Sequence, residues 1–176
     1  MRDSRINEVV LPHLNAAYNF ARWLTRDAHD AQDVVQEACA RALRYLPGYR
    51  GVNGRAWFLA IVRNAAFDWL ARNRPGDVDG DDAVDEVPDA SDKGPEALAM
   101  RKDEGEVLAA AIAALPPGFR EVLILRELEE LSYKEIARIT DVPVGTVMSR
   151  LSRARALLSR VPTLVAIRGS AAGSGS

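Results

Sequence analysis

Between residues 146 and 155 the chain gathers hydroxyl and guanidinium groups: Thr146, Ser149 and Ser152 alternate with Arg150, Arg153 and Arg155, and Met148 sits among them. Hydroxyls can donate to or accept from a base edge, and a guanidinium fork suits a phosphate or the edge of guanine. Such chemistry needs a support that turns these groups one way. Val147, Leu151, Ala154 and Leu158 recur at helical spacing and give one stripe to bury, with Thr146, Ser149, Arg150 and Arg153 turned away from it. Just upstream, Ser132-Tyr133-Lys134-Glu135 has capping-box spacing and opens a shorter helix through Ile136, Ala137 and Ile139. Thr140-Asp141-Val142-Pro143 breaks it, because the residue before proline avoids helical backbone while proline suits a new first turn. Two short helices around a tight turn, the second with a polar, arginine-rich front, form the layout of a DNA-reading helix-turn-helix. An ordinary helical hairpin with a solvated arginine face fits the same residues.

A second group lies upstream. Trp57, Phe58 and Trp69 stand on one predicted helix, with Arg55, Arg63, Arg72 and Arg74 beside them. Rings next to cations can stack unpaired bases and hold their phosphates, and they can equally be the core of a small bundle. The preceding loop, residues 47–54, holds Tyr49 and Arg50 between glycines, and Asn53 is placed to cap the helix. Before that, two helices are expected: one from about Ile6 to Thr25 with a stripe of Val10, Leu14, Ala17, Ala21 and Leu24, the other from Asp27 to about Leu46. On the second, Val34, Val35, Ala38, Ala42 and Leu46 face inward, and Asp33, Gln36, Glu37 and Arg41 lie largely opposite. By themselves those charges read as a solvated helix face.

The chain that carries these groups has 176 residues, 48% of them hydrophobic, which is room for one domain or two small ones. Sustained alternation and hairpin dipeptides are missing, so the fold class is all-α: two small helical bundles joined by an acidic flexible linker. The formal charge of −2 hides a division. Residues 1–74 carry +4, residues 75–106 carry −9 and residues 107–176 carry +3. Two basic modules around an acidic middle suit binding to phosphates better than the overall charge suggests. The predicted division is an N-terminal domain over 1–74, a linker over 75–95, a C-terminal domain over 96–162 and a flexible tail over 163–176. In the second domain, helices are expected from Glu96 to about Leu115 and from Phe119 to about Glu130.

Other classes fit less well. The single cysteine, Cys39, excludes a disulfide framework within the chain, and His13 and His29 lack ligand spacing, so no metal and no cofactor are expected. The acids at 77–81 alternate like a calcium loop, but Pro88 stands where the bidentate glutamate belongs. No stretch reaches membrane-spanning length and the N-terminus has no apolar signal core, so membrane insertion is not expected and a soluble, cytoplasmic protein is. Paired catalytic carboxylates, a nucleophile with its base and a phosphate loop are all missing, which argues against an enzyme.

Three ordered segments carry a family resemblance: residues 30–38 (DAQDVVQEA), residues 57–64 (WFLAIVRN), and residues 115–122 (LPPGFREV) with the helix-turn-helix that follows. Over roughly residues 6–74 and 96–160 the chain resembles a bacterial sigma factor of the extracytoplasmic-function (ECF) type. The resemblance implies binding to core RNA polymerase and direction of that enzyme to promoter DNA. It assigns Asp33, Gln36, Glu37 and Arg41 to docking on the polymerase. It assigns Tyr49, Arg50 and Gly51, with Asn64 facing them, to capture of a base flipped from the minus-ten element, and Arg55, Trp57 and Arg63 to guiding the opened strand. Thr146, Met148, Ser149, Arg150, Ser152, Arg153 and Arg155 fall to duplex reading at the minus-thirty-five element, with Arg150 and Arg155 on phosphates. Relatives often carry lysine or arginine where Met148 stands; an apolar group there favours a thymine methyl. The linker would thread the polymerase cleft, and an anti-sigma factor would bind an apolar groove between the domains. The competing reading is a stand-alone helix-turn-helix regulator that never meets polymerase, which leaves the aromatic-basic helix and the acidic linker without a role.

Overall fold

The computed structural model describes residues 2–78 and 104–160, and the regular elements among them are all helical. In chain order they are α1 (Arg2–Val9), a 3-10 turn (Leu11–His13), α2 (Leu14–Thr25), α3 (Ala28–Tyr45), a second 3-10 turn (Leu46–Gly48), α4 (Gly54–Asn73), the one-turn α5 (Pro75–Val78), α6 (Glu104–Ala113), α7 (Pro117–Glu127), α8 (Tyr133–Thr140) and α9 (Val144–Ser159).

The helix expected from Ile6 to Thr25 is interrupted. Pro12 has no N–H to give and its ring crowds the preceding turn, so the chain tightens into a 3-10 turn and restarts at Leu14. The apolar stripe survives the break: Val10, Ala17, Ala21 and Leu24 are buried and Leu14 is half-buried. Arg26 then closes α2 in the left-handed region at φ 63°, unusual for a residue with a Cβ. Asp27 starts α3 by accepting the His29 and Asp30 amides at 2.9 and 3.0 Å. The Asp30 amide bond, first, and that of His29 hold the Asp27 carboxyl below its ordinary range against the push of desolvation.

Helix α4 is the centre of the first bundle. Phe58, Leu59, Ile61, Val62, Ala65, Ala66 and Leu70 are buried, which is apolar surface almost all round rather than a single stripe. Neighbours on several sides explain it: α2 and α3 pack on α4, and so does α8 of the second bundle. Full burial of a side chain such as Phe58 contributes about 1.5–3 kcal/mol.

In the second bundle, α7 is buried from Pro117 through Leu125, charged residues included, because α2 covers one side and α9 another. The Ser132–Glu135 capping box forms in both directions, with the hydroxyl accepting the Glu135 amide at 3.1 Å and the carboxylate accepting the Ser132 amide at 3.2 Å. Asp141 ends α8 at φ 55°, Pro143 is extended, and α9 begins at Val144. Val147, Leu151, Ala154 and Leu158 are buried.

Three further expectations change. Residues 75–78, read as the start of an extended linker, form the turn α5. The helix expected from Glu96 to about Leu115 runs, among the described residues, over Glu104–Ala113 and gives way to a turn at 114–115; its expected start, most of the linker and the tail lie outside them. The two bundles are also packed on one another. Buried residues of both belong to one continuous apolar cluster, so the faces read from sequence as an open groove are in mutual contact. Arg120 joins them while almost wholly buried: its Nη1 donates to the Trp23 and Leu24 carbonyls at 2.8 and 2.9 Å, and its Nη2 and Nε to the Leu115 carbonyl at 3.0 and 3.3 Å.

Candidate nucleic-acid interface

The loop before α4 is built to hold a ring in the open. Arg5 Nη2 donates to the Tyr49 carbonyl at 3.1 Å, tying the loop to α1. Gly51 sits at φ 79°, where a side chain would be strained. Gly54 lets the Tyr49 hydroxyl lie 3.3 Å from where a Cβ would stand. Tyr49 thus rests against Trp57, ring centroids 4.9 Å apart and planes at 48°. Beside them opens a cleft of about 350 Å³ lined by Gly48, Tyr49, Arg50, Asn53, Trp57 and, from α8, Arg138. Two rings and two guanidinium groups around an open space can stack a planar ring and attract its phosphate.

The other residues assigned to this region divide. Phe58 is wholly buried core, whereas Trp57 and Trp69 are half-buried. Asn64 is exposed and accepts from Arg63 Nη1 at 3.4 Å; it does not line the cleft, whose α4 wall ends at Ala60. Arg55 and Arg63 point to the second bundle. Arg63 makes a two-pronged contact with the buried Glu121, Nε to Oε2 at 2.9 Å and Nη2 to Oε1 at 3.2 Å. Arg55 Nη2 reaches both the Glu129 carboxylate and the Glu129 carbonyl at 2.7 Å. Asn53 caps α4 through Oδ1 to the Ala56 amide at 3.1 Å, and its Nδ2 donates to Glu135 Oε2 at 3.1 Å.

On α3, Asp33, Gln36 and Glu37 form an exposed polar face. Arg41 is mostly covered, with its side chain 17% exposed, and bridges Glu37 and Asp68. On α9, Ser149, Ser152 and Arg153 are exposed, Met148 is 52% exposed, and Thr146 and Arg150 are half-buried. The Ser149 hydroxyl donates to the Thr146 carbonyl at 3.0 Å. Arg155 Nη2 is 2.7 Å from Glu127 Oε1 on α7, a bond that raises the Arg155 pKa despite partial desolvation.

Sequence reasoning passed over Arg120, Glu121, Glu129, Glu135 as a partner of Asn53, and Arg138 beside the cleft. The one local signal was Arg120-Glu121 inside an apolar run, two charges where helical spacing demands burial.

Comparison with known proteins follows the same division. The description "Sigma-70 region 2" matches residues 9–75, and "Sigma-70, region 4" matches residues 105–158. The chain is similar to the ECF RNA polymerase sigma-E factor of Escherichia coli, 39% identical over 145 residues that cover 77% of this chain and 76% of that one. It is similar to the ECF RNA polymerase sigma factor SigM of Bacillus subtilis, 30% identical over 150 residues, 85% of this chain and 90% of that one. With the ECF RNA polymerase sigma factor SigE of Mycolicibacterium smegmatis it shares 34% identity over 150 residues and spans 58% of that protein's length. Among solved structures, the sigma factor RpoE bound to the anti-sigma factor NepR from Bartonella quintana superposes with a TM-score of 0.65 at 26% identity, over 90% of this chain and 96% of that one. CnrH in complex with the cytosolic domain of CnrY gives 0.63, also at 26%, over 89% and 86%.

Proposed function

The chain belongs to the extracytoplasmic-function sigma factors, and from that premise we propose that it docks on core RNA polymerase, directs it to specific promoters and helps open the minus-ten element. It is a transcription initiation factor rather than an enzyme, acting in the cytoplasm where polymerase and DNA are. No helix among the described residues is long and apolar enough to cross a membrane. The 1–74 unit is read as the docking and melting domain, 75–95 as the linker and 96–162 as the duplex-reading domain. An anti-sigma factor is a further partner, supported by the sigma factor RpoE solved with the anti-sigma factor NepR bound.

The observation that carries this reading is the Tyr49–Trp57 ring pair held open over the cleft beside Arg50. A stand-alone duplex reader has no use for it, whereas a protein that captures unstacked bases needs a stacking surface with a cation beside it. Stacking of captured bases offsets the few kcal/mol of unstacking, so strand opening needs no nucleotide hydrolysis. Asp33, Gln36 and Glu37 supply the docking face, and Met148, Ser149, Ser152 and Arg153 the base-facing front of α9.

Run-off transcription with core polymerase on the upstream region of the chain's own gene tests the proposal. Initiation at one start, lost when Asp33 and Gln36 are replaced by alanine, supports it. Duplex binding by the protein alone with no gain in initiation gives the stand-alone regulator instead.

A further inference from the structure

The cleft beside Tyr49 and Trp57 is closed on its far side by Arg138 of α8. The same guanidinium borders an adjoining recess of about 390 Å³, lined also by Lys134, Glu135 and Val144. Two hollows thus meet at Arg138, the first walled by rings and small apolar groups, the second by charge. Arg50, Lys134 and Arg138 are exposed, and their side chains have no hydrogen-bond or ion-pair partner among the described residues. Other cations of the seam are taken, Arg55 by Glu129 and Arg63 by Glu121. The carboxylate of the recess, Glu135, is engaged at both oxygens, Oε1 by the Ser132 amide and Oε2 by Asn53 Nδ2. Three uncompensated cations therefore border a space that begins at a pair of rings.

We propose that this composite cleft binds a free nucleoside polyphosphate, with its base on the Tyr49–Trp57 rings and its phosphates on Arg50, Arg138 and Lys134. The first hollow, of about 350 Å³, lies in the range of small-ligand clefts, about 300–1,000 Å³. Stacking accepts any base face, so adenine and guanine are taken alike. A guanidinium meets phosphate oxygens with two parallel donors, and an ammonium adds a point charge. A single phosphate reaches one of these cations, whereas a chain of phosphates can run past Arg138 into the recess toward Lys134. The rings belong to the first bundle and two of the three cations to the second, so neither bundle carries the site by itself. One consequence rests on the proposed strand surface: a nucleotide seated on the rings occupies the place of the captured base.

The test is isothermal titration calorimetry of the full chain with ATP, GTP, guanosine and inorganic tripolyphosphate. Binding of a fluorescein-labelled single strand of the run-off promoter, read by fluorescence anisotropy, is measured in parallel. ATP and GTP are expected to bind with similar affinity, and guanosine and tripolyphosphate each far more weakly. Arg138→Ala is expected to weaken GTP binding by about tenfold while leaving the weak binding of guanosine unchanged. Lys134→Ala, at an exposed position, is expected to weaken GTP by a few fold and keeps the test readable if Arg138→Ala disturbs the seam. Trp57→Ala is expected to weaken GTP and guanosine together, by about tenfold. Tripolyphosphate bound as tightly as GTP overturns the site and leaves a patch of charge. GTP binding that falls with Trp57→Ala but is unchanged in both cation variants overturns the composite site and leaves the rings alone. Absence of GTP binding in a protein that still binds the strand overturns this inference and leaves the strand surface standing. GTP binding without strand binding supports the nucleotide site and removes the strand surface instead.

Discussion

Arg41 Nη1 lies 2.9 Å from Asp68 Oδ2, so a residue of α3 grouped from sequence with an exposed docking face is tied instead to α4, while its Nε holds Glu37 at 3.0 Å. Burial opposes the charged form of Arg41, but the bonds to Glu37 and Asp68 outweigh it and raise the pKa. The pair therefore orients Glu37 and staples two helices at once.

That separates Arg41 from its neighbours in a measurable way. Asp33→Ala and Gln36→Ala should abolish run-off initiation while leaving the thermal midpoint unchanged, since both side chains are exposed. Arg41→Ala should also lower stability, by about 0.5–1 kcal/mol, a modest amount because both partners are solvent-facing and screened. Differential scanning calorimetry of the three variants distinguishes the two behaviours.

The capping box carries a pH dependence. Burial pushes the Glu135 carboxyl up, but the Ser132 amide and the Asn53 side chain outweigh it, and the folded-state pKa falls below the ordinary 4.5. A depressed carboxylate contributes stability that is full above its unfolded value and is lost as pH falls through the folded one. Wild type should therefore lose more stability than Glu135→Gln between about pH 6 and about pH 3. Ser132→Ala should cost about 1 kcal/mol at neutral pH. Urea midpoints across the series would show both.

Arg120 should be the most sensitive position of the second bundle. Removing it strands the carbonyls of Leu115, Trp23 and Leu24 in a buried seam. Arg120→Met is expected to destabilise by about 3 kcal/mol or more. Hydrogen exchange should show the end of α2 and the start of α7 losing protection together, because one guanidinium serves both.

Recognition should be separable from support on α9. Arg153 is exposed and base-facing, so Arg153→Ala should weaken minus-thirty-five duplex binding by about 1–3 kcal/mol and relax the preference at the base pair it meets, with no change in stability. Arg155 is braced by Glu127 at 2.7 Å, and Glu127→Gln should weaken duplex binding less than Arg155→Ala. Met148, half exposed and apolar, should make affinity fall a few fold, by about 1 kcal/mol or less, when uracil replaces a contacted thymine. Filter binding on matched duplexes measures each effect.

What could be read from sequence was local. The Ser132–Glu135 box, the Asn53 cap and the buried stripe of α9 each depend on residues within a few positions, and all are present. The break at Pro12 escaped notice because the apolar spacing continues through it, and a 3-10 turn advances the chain without losing the inward face. Asn64 was expected to face Tyr49, but the cleft ends one turn earlier. The contacts between bundles were illegible for a different reason. Arg63 and Glu121 are 58 positions apart, Arg55 and Glu129 are 74 apart, and a charge that will find a distant partner looks in sequence like one that faces water.

Asn53 divides its amide between the two bundles: the oxygen begins α4 and the nitrogen holds Glu135. Aspartate would cap the helix equally well but would set one carboxylate against another across the seam. Asparagine and aspartate codons differ by a single nucleotide. A single point mutation would therefore set the seam between the bundles against itself while leaving the start of the helix intact.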